Sequence, residues 1–239
     1  MVTYWTMTGK PELRRELIGI HNKLLACYGV QHWWPGETPF EIMVGAILTQ
    51  SAAWGNVEKA ITNLKSAGKL SPSAIRDMPM VDLAKMVYPS GYYNAKARKL
   101  KALAEWLGKY KDDLSRLDRS PTVDLRQELL EIYGVGPETS DAILLYVFKR
   151  PVFVIDAYTR RLFRRLGVEP PVDNYDGWQA LFMDNLPHEF ELFAEYHALI
   201  VKHGKDICRK SPQCTECCLS NECSGKPSAT KPVHLGGPT

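Results

Sequence analysis

Four cysteines near the C-terminal end stand as Cys208-x5-Cys214-x2-Cys217-x5-Cys223, with Cys218 a further thiol inside the run and Cys27 far away. A disulfide framework spreads its cysteines through a small secreted chain, whereas crowding of this kind points to metal. Four thiolates in one short loop suit a 4Fe–4S cluster. Structural zinc usually uses two C-x(2–4)-C pairs, and here only Cys214 and Cys217 form one, so zinc is the alternative. The expected ligands are Cys208, Cys214, Cys217 and Cys223, and Cys218 leaves the ligand choice open. Lys202, Lys205, Arg209 and Lys210 lie nearby.

A second group is Ile132-Tyr-Gly-Val-Gly-Pro-Glu-Thr-Ser-Asp141, followed by Phe153-Val-Ile-Asp-Ala-Tyr-Thr-Arg-Arg161. Gly134 and Gly136 flank Val135 between two helical segments, and glycine permits the positive φ and close approach that such a turn needs. Pro137 starts the second helix and leaves N–H groups pointing out of its first turn, a ready site for a phosphate. An ordinary glycine turn between packed helices is the competing reading. Asp156 ends a short apolar run and starts another helix, so it reads as an N-cap. On the residues alone a plain cap is the commoner role, and the helix dipole keeps such a carboxylate ionised. Arg160, Arg161, Arg164 and Arg165 follow around more than one helix face. One or two of them are expected on phosphates and the rest in salt bridges or solvent.

A third group is aromatic: His32-Trp-Trp-Pro-Gly36, and Trp54 at the end of Gly45-Ala-Ile-Leu-Thr-Gln-Ser-Ala-Ala-Trp54. Tryptophans in a loop are either buried or used for stacking, and core packing is the commoner role.

The elements that must carry these groups are helical. Leu13, Leu17, Ile20, Leu24 and Tyr28 line one face of a first helix. Thr38-Pro-Phe-Glu41 is a capping-box start for an apolar helix over Phe40–Thr49. Val57, Ile61 and Leu64 mark another helix, ended by Gly68. Pro89-Ser-Gly-Tyr-Tyr93 is a break, after which Ala97, Leu100, Leu103 and Leu107 stripe a longer helix. Asp124 is expected to cap the helix that leads to the hairpin, and Gly167 to stop the helix that follows Asp156. No alternating strand pattern of useful length appears, so the fold class is all-α. A chain of 239 residues, 45% hydrophobic and 24% charged, is ordinary for a soluble globular protein, and a net charge of +3 permits a nucleic-acid partner without arguing for one. No signal-peptide run and no stretch of about 18 apolar residues is present. The expectation is a cytoplasmic monomer with no membrane contact, nucleoid-associated if the source is prokaryotic.

Residues 129–167 closely resemble the helix–hairpin–helix, GPD-type DNA glycosylase superfamily, whose endonuclease III branch is all-α. The resemblance implies that Gly134, Val135, Gly136 and Thr139 hold a DNA phosphate and that Asp156 is the catalytic aspartate. Lyase members carry a Schiff-base lysine in the second helix of the hairpin. Alignment on Gly-Val-Gly puts Glu138 there, and a carboxylate cannot form an iminium, which points to a monofunctional enzyme. The endonuclease III family has a closely similar cysteine loop with one more residue in the first gap. Trp-Trp-Pro, Gly-Ala-Ile-Leu-Thr-Gln and Pro-Ser-Gly-Tyr-Tyr-Asn-Ala-Lys-Ala resemble the 3-methyladenine DNA glycosylase III subfamily more specifically, although its best-known member lacks the cysteine loop.

This resemblance implies an enzyme that flips an alkylated purine out of duplex DNA, with Trp33, Trp34 and Trp54 as pocket walls and Gln50 and Ser51 as the wedge. It also implies two helical lobes flanking a DNA cleft. One is a six-helix lobe over 38–150; the other is formed by 1–37 and 151–223, with a tail over 224–239 expected to be disordered. The competing activities are an endonuclease III-type glycosylase and lyase for oxidised pyrimidines, an adenine-mismatch glycosylase, and a non-catalytic damage-binding module.

Overall fold

The computed structural model describes residues 10–225; the expected tail lies outside the described residues except for Ser224 and Gly225. The described residues form eleven α-helices and no strand. The chain divides into two compact units. Among the described residues, a central unit takes His32–Val154 and Pro187–Glu195, and a terminal unit takes 10–31, Ile155–Leu186 and 196–225. The assignment of 187–195 to the central unit could not be read from chain order.

In the central unit, α2 (Pro39–Leu48), α3 (Trp54–Ser66), α4 (Pro72–Asp77), α5 (Met80–Met86), α6 (Tyr93–Lys109), α7 (Thr122–Glu131) and α8 (Pro137–Tyr146) follow one another. The starts are written locally. Thr38 Oγ1 accepts from Glu41 N at 3.2 Å, Glu41 Oε2 accepts from Glu37 N at 3.1 Å, and Pro39 takes the first helical position. Ser71 with Pro72 repeats the device at α4.

The helix α7 departs from expectation. It starts at Thr122 after Pro121, so Asp124 lies inside the first turn rather than at the cap. There its charge still complements the helix dipole. The apolar helix α2 packs on α3, α6 and α8, and α6 packs on α4 and α5. Lys96 of α6 is buried, donating to the carbonyls of Leu48 (2.8 Å) and Ser90 (2.6 Å), so it closes the end of α2 and the tyrosine-rich turn. Burial, and then the charge of Lys99, push its amine down to about 8.

The terminal unit contains α1 (Pro11–Tyr28), α9 (Ala157–Leu166), α10 (Tyr175–Met183) and the part of α11 (Phe190–Asp206) from Tyr196 on. Leu17, Ile20 and Leu24 of the expected stripe are buried. Phe163, Phe182 and Tyr196 meet edge to face, and Tyr196 donates to Leu17 O at 2.7 Å. Each such fully buried side chain contributes about 1.5–3 kcal/mol of burial. Gly167 ends α9 in the left-handed conformation (φ 79°), as expected.

Candidate active site

The hairpin joins α7 to α8. Gly134 has φ 81°, a conformation that only glycine adopts without strain, and a Cβ there would sit 2.4 Å from Lys99 Cγ. Gly136 is different: it is the extended N-cap of α8, with open space where a Cβ would be. The side chain of Val135 is buried and its N–H donates to Ile132 O at 3.0 Å. Arg126 of α7 grips the buried Asp141 of α8 through two bonds of 2.6 and 3.1 Å, which fixes the two helices as one piece.

Gln50 is not extended as a wedge. Its amide donates to Gly134 O (3.1 Å) and to Thr139 Oγ1 (2.9 Å), and its oxygen accepts from Lys99. Thus, among the four residues expected on a phosphate, Val135 and the Thr139 hydroxyl have partners inside the unit. Gly136 and the first-turn N–H groups of α8, which no helical carbonyl can reach, are what faces out. Glu138 stands exposed in that first turn.

Asp156 is the N-cap of α9. Its Oδ1 accepts from the backbone N–H of Thr159 at 2.7 Å and from its hydroxyl at 2.9 Å. Its Oδ2 lies 3.6 Å from Nε2 of His197, and the carboxylate side chain is 12% exposed. Burial pushes its carboxyl up, but the donors on His197 and Thr159 outweigh that and hold it below the ordinary carboxylate value. The group is an ionised carboxylate at neutral pH.

The four arginines after it are all engaged within the unit. Arg160 and Arg164 pair with Asp173, and Arg164 also with Glu169 at 3.4 Å. Arg161 donates to the carbonyls of Cys208 (2.7 Å) and Gly204 (2.8 Å), and Arg165 to Cys208 Sγ (3.2 Å) and to the carbonyls of Arg209 and Lys210. Their geometry serves the cysteine loop and the turn before α10.

Trp33, Trp34 and Trp54 come together as expected, with centroids 5.4–5.8 Å apart and rings tilted or edge-on. Trp34 also meets Tyr146 at 5.4 Å and lies over Gly45, where a Cβ would be 3.1 Å from its Nε1. The three rings touch, so a flat base would stack on the cluster rather than enter between them. Ser51, expected in the wedge, is exposed at a left-handed turn (φ 53°).

The four expected cysteine ligands line one cavity, with Leu162, Leu166, Ile207 and Leu219 among its walls; Cys218 does not line it. Cys218 interacts instead with Cys27. Among the described residues no group of three His, Cys, Asp or Glu side chains is placed to hold a metal ion. Four cysteine side chains around one cavity are the donor set that a 4Fe–4S cluster uses. His203, fully buried, lies 3.6 Å through Nε2 from Cys217 Sγ and 2.7 Å through Nδ1 from the Tyr28 hydroxyl. Burial pushes its ring down to about 4, so it is neutral.

The model for the HhH-GPD superfamily of base excision DNA repair proteins matches residues 44–188, from α2 through Asp156 and beyond. The chain belongs to this superfamily. It is a DNA glycosylase of the base-excision-repair family. A protein of Methanocaldococcus jannaschii, provisionally assigned as a DNA repair glycosylase, is 44% identical over 87% of this chain and 95% of its own length. Endonuclease III of Thermotoga maritima is 27% identical over 77% of this chain and 82% of its own length.

Among solved structures, Helicobacter pylori 3-methyladenine DNA glycosylase bound to 1,N6-ethenoadenine is 30% identical, with a TM-score of 0.65 over 81% of this chain and 96% of that one. A trapped endonuclease III–DNA covalent intermediate shares the fold at 23% identity, with a TM-score of 0.76 over 89% and 96% of the two chains. His197 and the Tyr28–His203 pair escaped the sequence reading. Each is a lone histidine or tyrosine on a helix, and only tertiary packing shows what it meets.

Proposed function

We propose that this glycosylase hydrolyses the N-glycosidic bond of alkylated purines of the 3-methyladenine class in duplex DNA, without lyase activity. Glu138 carries the monofunctional part of this reading. It occupies the first turn of α8, where lyase members carry their lysine, and a carboxylate cannot form an iminium with the sugar. The alkylated-purine part is supported by the half-buried tryptophan cluster and by the 30% identity to the H. pylori enzyme.

An N-alkylated purine is cationic or otherwise a good leaving group and needs little acid catalysis. An electron-rich aromatic face can select it, with cation–π attraction of about 0.5–2 kcal/mol per contact. The C1′–N bond breaks and its electron pair leaves with the base. Asp156 stabilises the positive sugar or takes a proton from the water that adds at C1′. Gly136 and the first turn of α8 bind a DNA phosphate without reading sequence.

Cys208, Cys214, Cys217 and Cys223 would hold a 4Fe–4S cluster, which when bound supplies four iron–thiolate bonds that close the loop. Arg161 and Arg165 hold that loop against α9, and Lys205 and Lys210 supply charge near it.

Release of 3-methyladenine and 7-methylguanine from methylated duplex DNA tests the substrate; no release from either lesion would overturn it. Borohydride treatment during turnover tests the second half, and a trapped protein–DNA adduct would overturn it. The second reading, an endonuclease III-type enzyme for oxidised pyrimidines, is favoured by the cysteine loop and would be revealed by that adduct on an oxidised-pyrimidine duplex.

A further inference from the structure

Asp156 uses its two oxygens differently. Oδ1 is fully engaged with Thr159 as the cap of α9, at 2.7 and 2.9 Å. Oδ2 is the oxygen that lies 3.6 Å from Nε2 of His197. His197 is 5% exposed, so this imidazole is an internal group placed against a carboxylate. A carboxylate shut away from water drifts toward its neutral acid unless donors meet its oxygens. Thr159 does this for one oxygen, and His197 is the donor facing the other.

We propose that His197 is the positioning residue of this enzyme: its imidazole keeps Oδ2 ionised and aimed, and Oδ2 is the oxygen that meets the sugar or the attacking water. The proposal rests on the reading of Asp156 as the catalytic carboxylate. A contact of 3.6 Å is longer than a direct hydrogen bond, so Oδ2 keeps lone pairs available; catalytic contacts are often long before substrate arrives.

Two other polar groups close to Asp156 in the chain or on its helix have partners of their own. Tyr175 of α10 places its hydroxyl 3.4 Å from Ile155 N, and Arg160 on α9 itself lies 3.6 Å from Asp173. The net donation onto Asp156 is consistent with a carboxyl held below its ordinary value despite burial.

The test compares His197→Phe, which keeps a ring without a donor, with His197→Gln, which keeps an N–H donor that does not titrate. Single-turnover base release against pH, KM and thermal melting are measured for both. In His197→Phe the acid limb of the rate profile is expected to move up by about one pH unit or more, with the neutral-pH rate down about tenfold and KM unchanged. His197→Gln is expected to restore most of the rate and the position of the limb. A wild-type rate and limb in His197→Phe, or equal slowing in both variants with an unmoved limb, would overturn the proposal. Should His197→Phe not fold, His197→Leu replaces it, with carboxyl-carbon NMR titration of Asp156 in wild type and His197→Gln as the second readout; a carboxyl that titrates well above its ordinary range in the wild type overturns the proposal. Asp156→Asn runs in parallel. Undiminished release by that variant defeats the carboxylate reading beneath the proposal, whereas lost release there with wild-type kinetics in His197→Phe defeats only the role of His197.

Discussion

Helices α8 and α9 follow one another in the chain and begin in opposite ways. The first starts at a glycine with no side chain on its orphan N–H groups; the second starts at an aspartate that fills them with Oδ1. A helix start that is left uncapped is available to an outside anion. One that is capped by a carboxylate instead fixes that carboxylate in position, ionised by the same dipole. In the function proposed above, the same physics supplies a grip in one place and a charged catalytic group in the other, and the difference between the two helix starts is a single residue, Gly136 or Asp156.

Substitutions at these two positions separate the roles. Asp156→Asn retains a good cap, because Asn and Asp are equivalent in that role, but removes the charge. Its melting temperature is expected near wild type while base release falls on the order of 10²–10⁴-fold; equal loss of both would merge cap and chemistry. Gly136→Asp converts the α8 start into a copy of the α9 start. Its backbone is already extended and its Cβ site is open, so the fold is expected to hold or gain slightly in melting, while binding to an abasic-site duplex weakens about tenfold. Unchanged binding would remove the phosphate from this turn.

Gly134→Ala tests the other glycine, where the left-handed backbone predicts a loss of about 1–2 kcal/mol in chemical denaturation. The smallest effect concerns pH. Because the folded carboxyl of Asp156 is depressed, its stabilising contribution is complete above the unfolded carboxylate value and is lost as pH falls through the folded one. The stability gap between wild type and Asp156→Asn is therefore expected to change by about 0.3–1 kcal/mol on acidification below the ordinary carboxylate range, and to stay flat above it.

What could be read from the chain alone were contacts made within a few residues. The Thr38 box, the Asp156 cap, the Gly134 turn and the Gly167 stop each depend on a bond spanning three or four positions, and each is where it was expected. The grouping of the four cysteines was legible because their spacing is itself short. Gln50 is the counter-example: its position after α2 is apparent, but its amide turns onto a hairpin 84 residues later. The arginines of α9 invite a phosphate by their charge, and only packing reveals that carbonyls and carboxylates already occupy them. His197 reads as one more residue of an amphipathic helix until Asp156 is seen beside it.

One peptide oxygen near the end of α9 has a wider consequence. The carbonyl of Arg165 is among the last four of its helix, which no helical N–H can reach. It is met instead from the far end of the cysteine loop, by Ser224 Oγ (3.2 Å) and Gly225 N (2.8 Å). The helix that starts at Asp156 is thus tied off by residues synthesised nearly 60 positions later. During synthesis that knot cannot be made until Gly225 has left the ribosome, and a protease cut or oxidised thiol within the loop would undo it. The far end of the helix that carries the carboxylate is therefore completed only after the whole cysteine loop has been made.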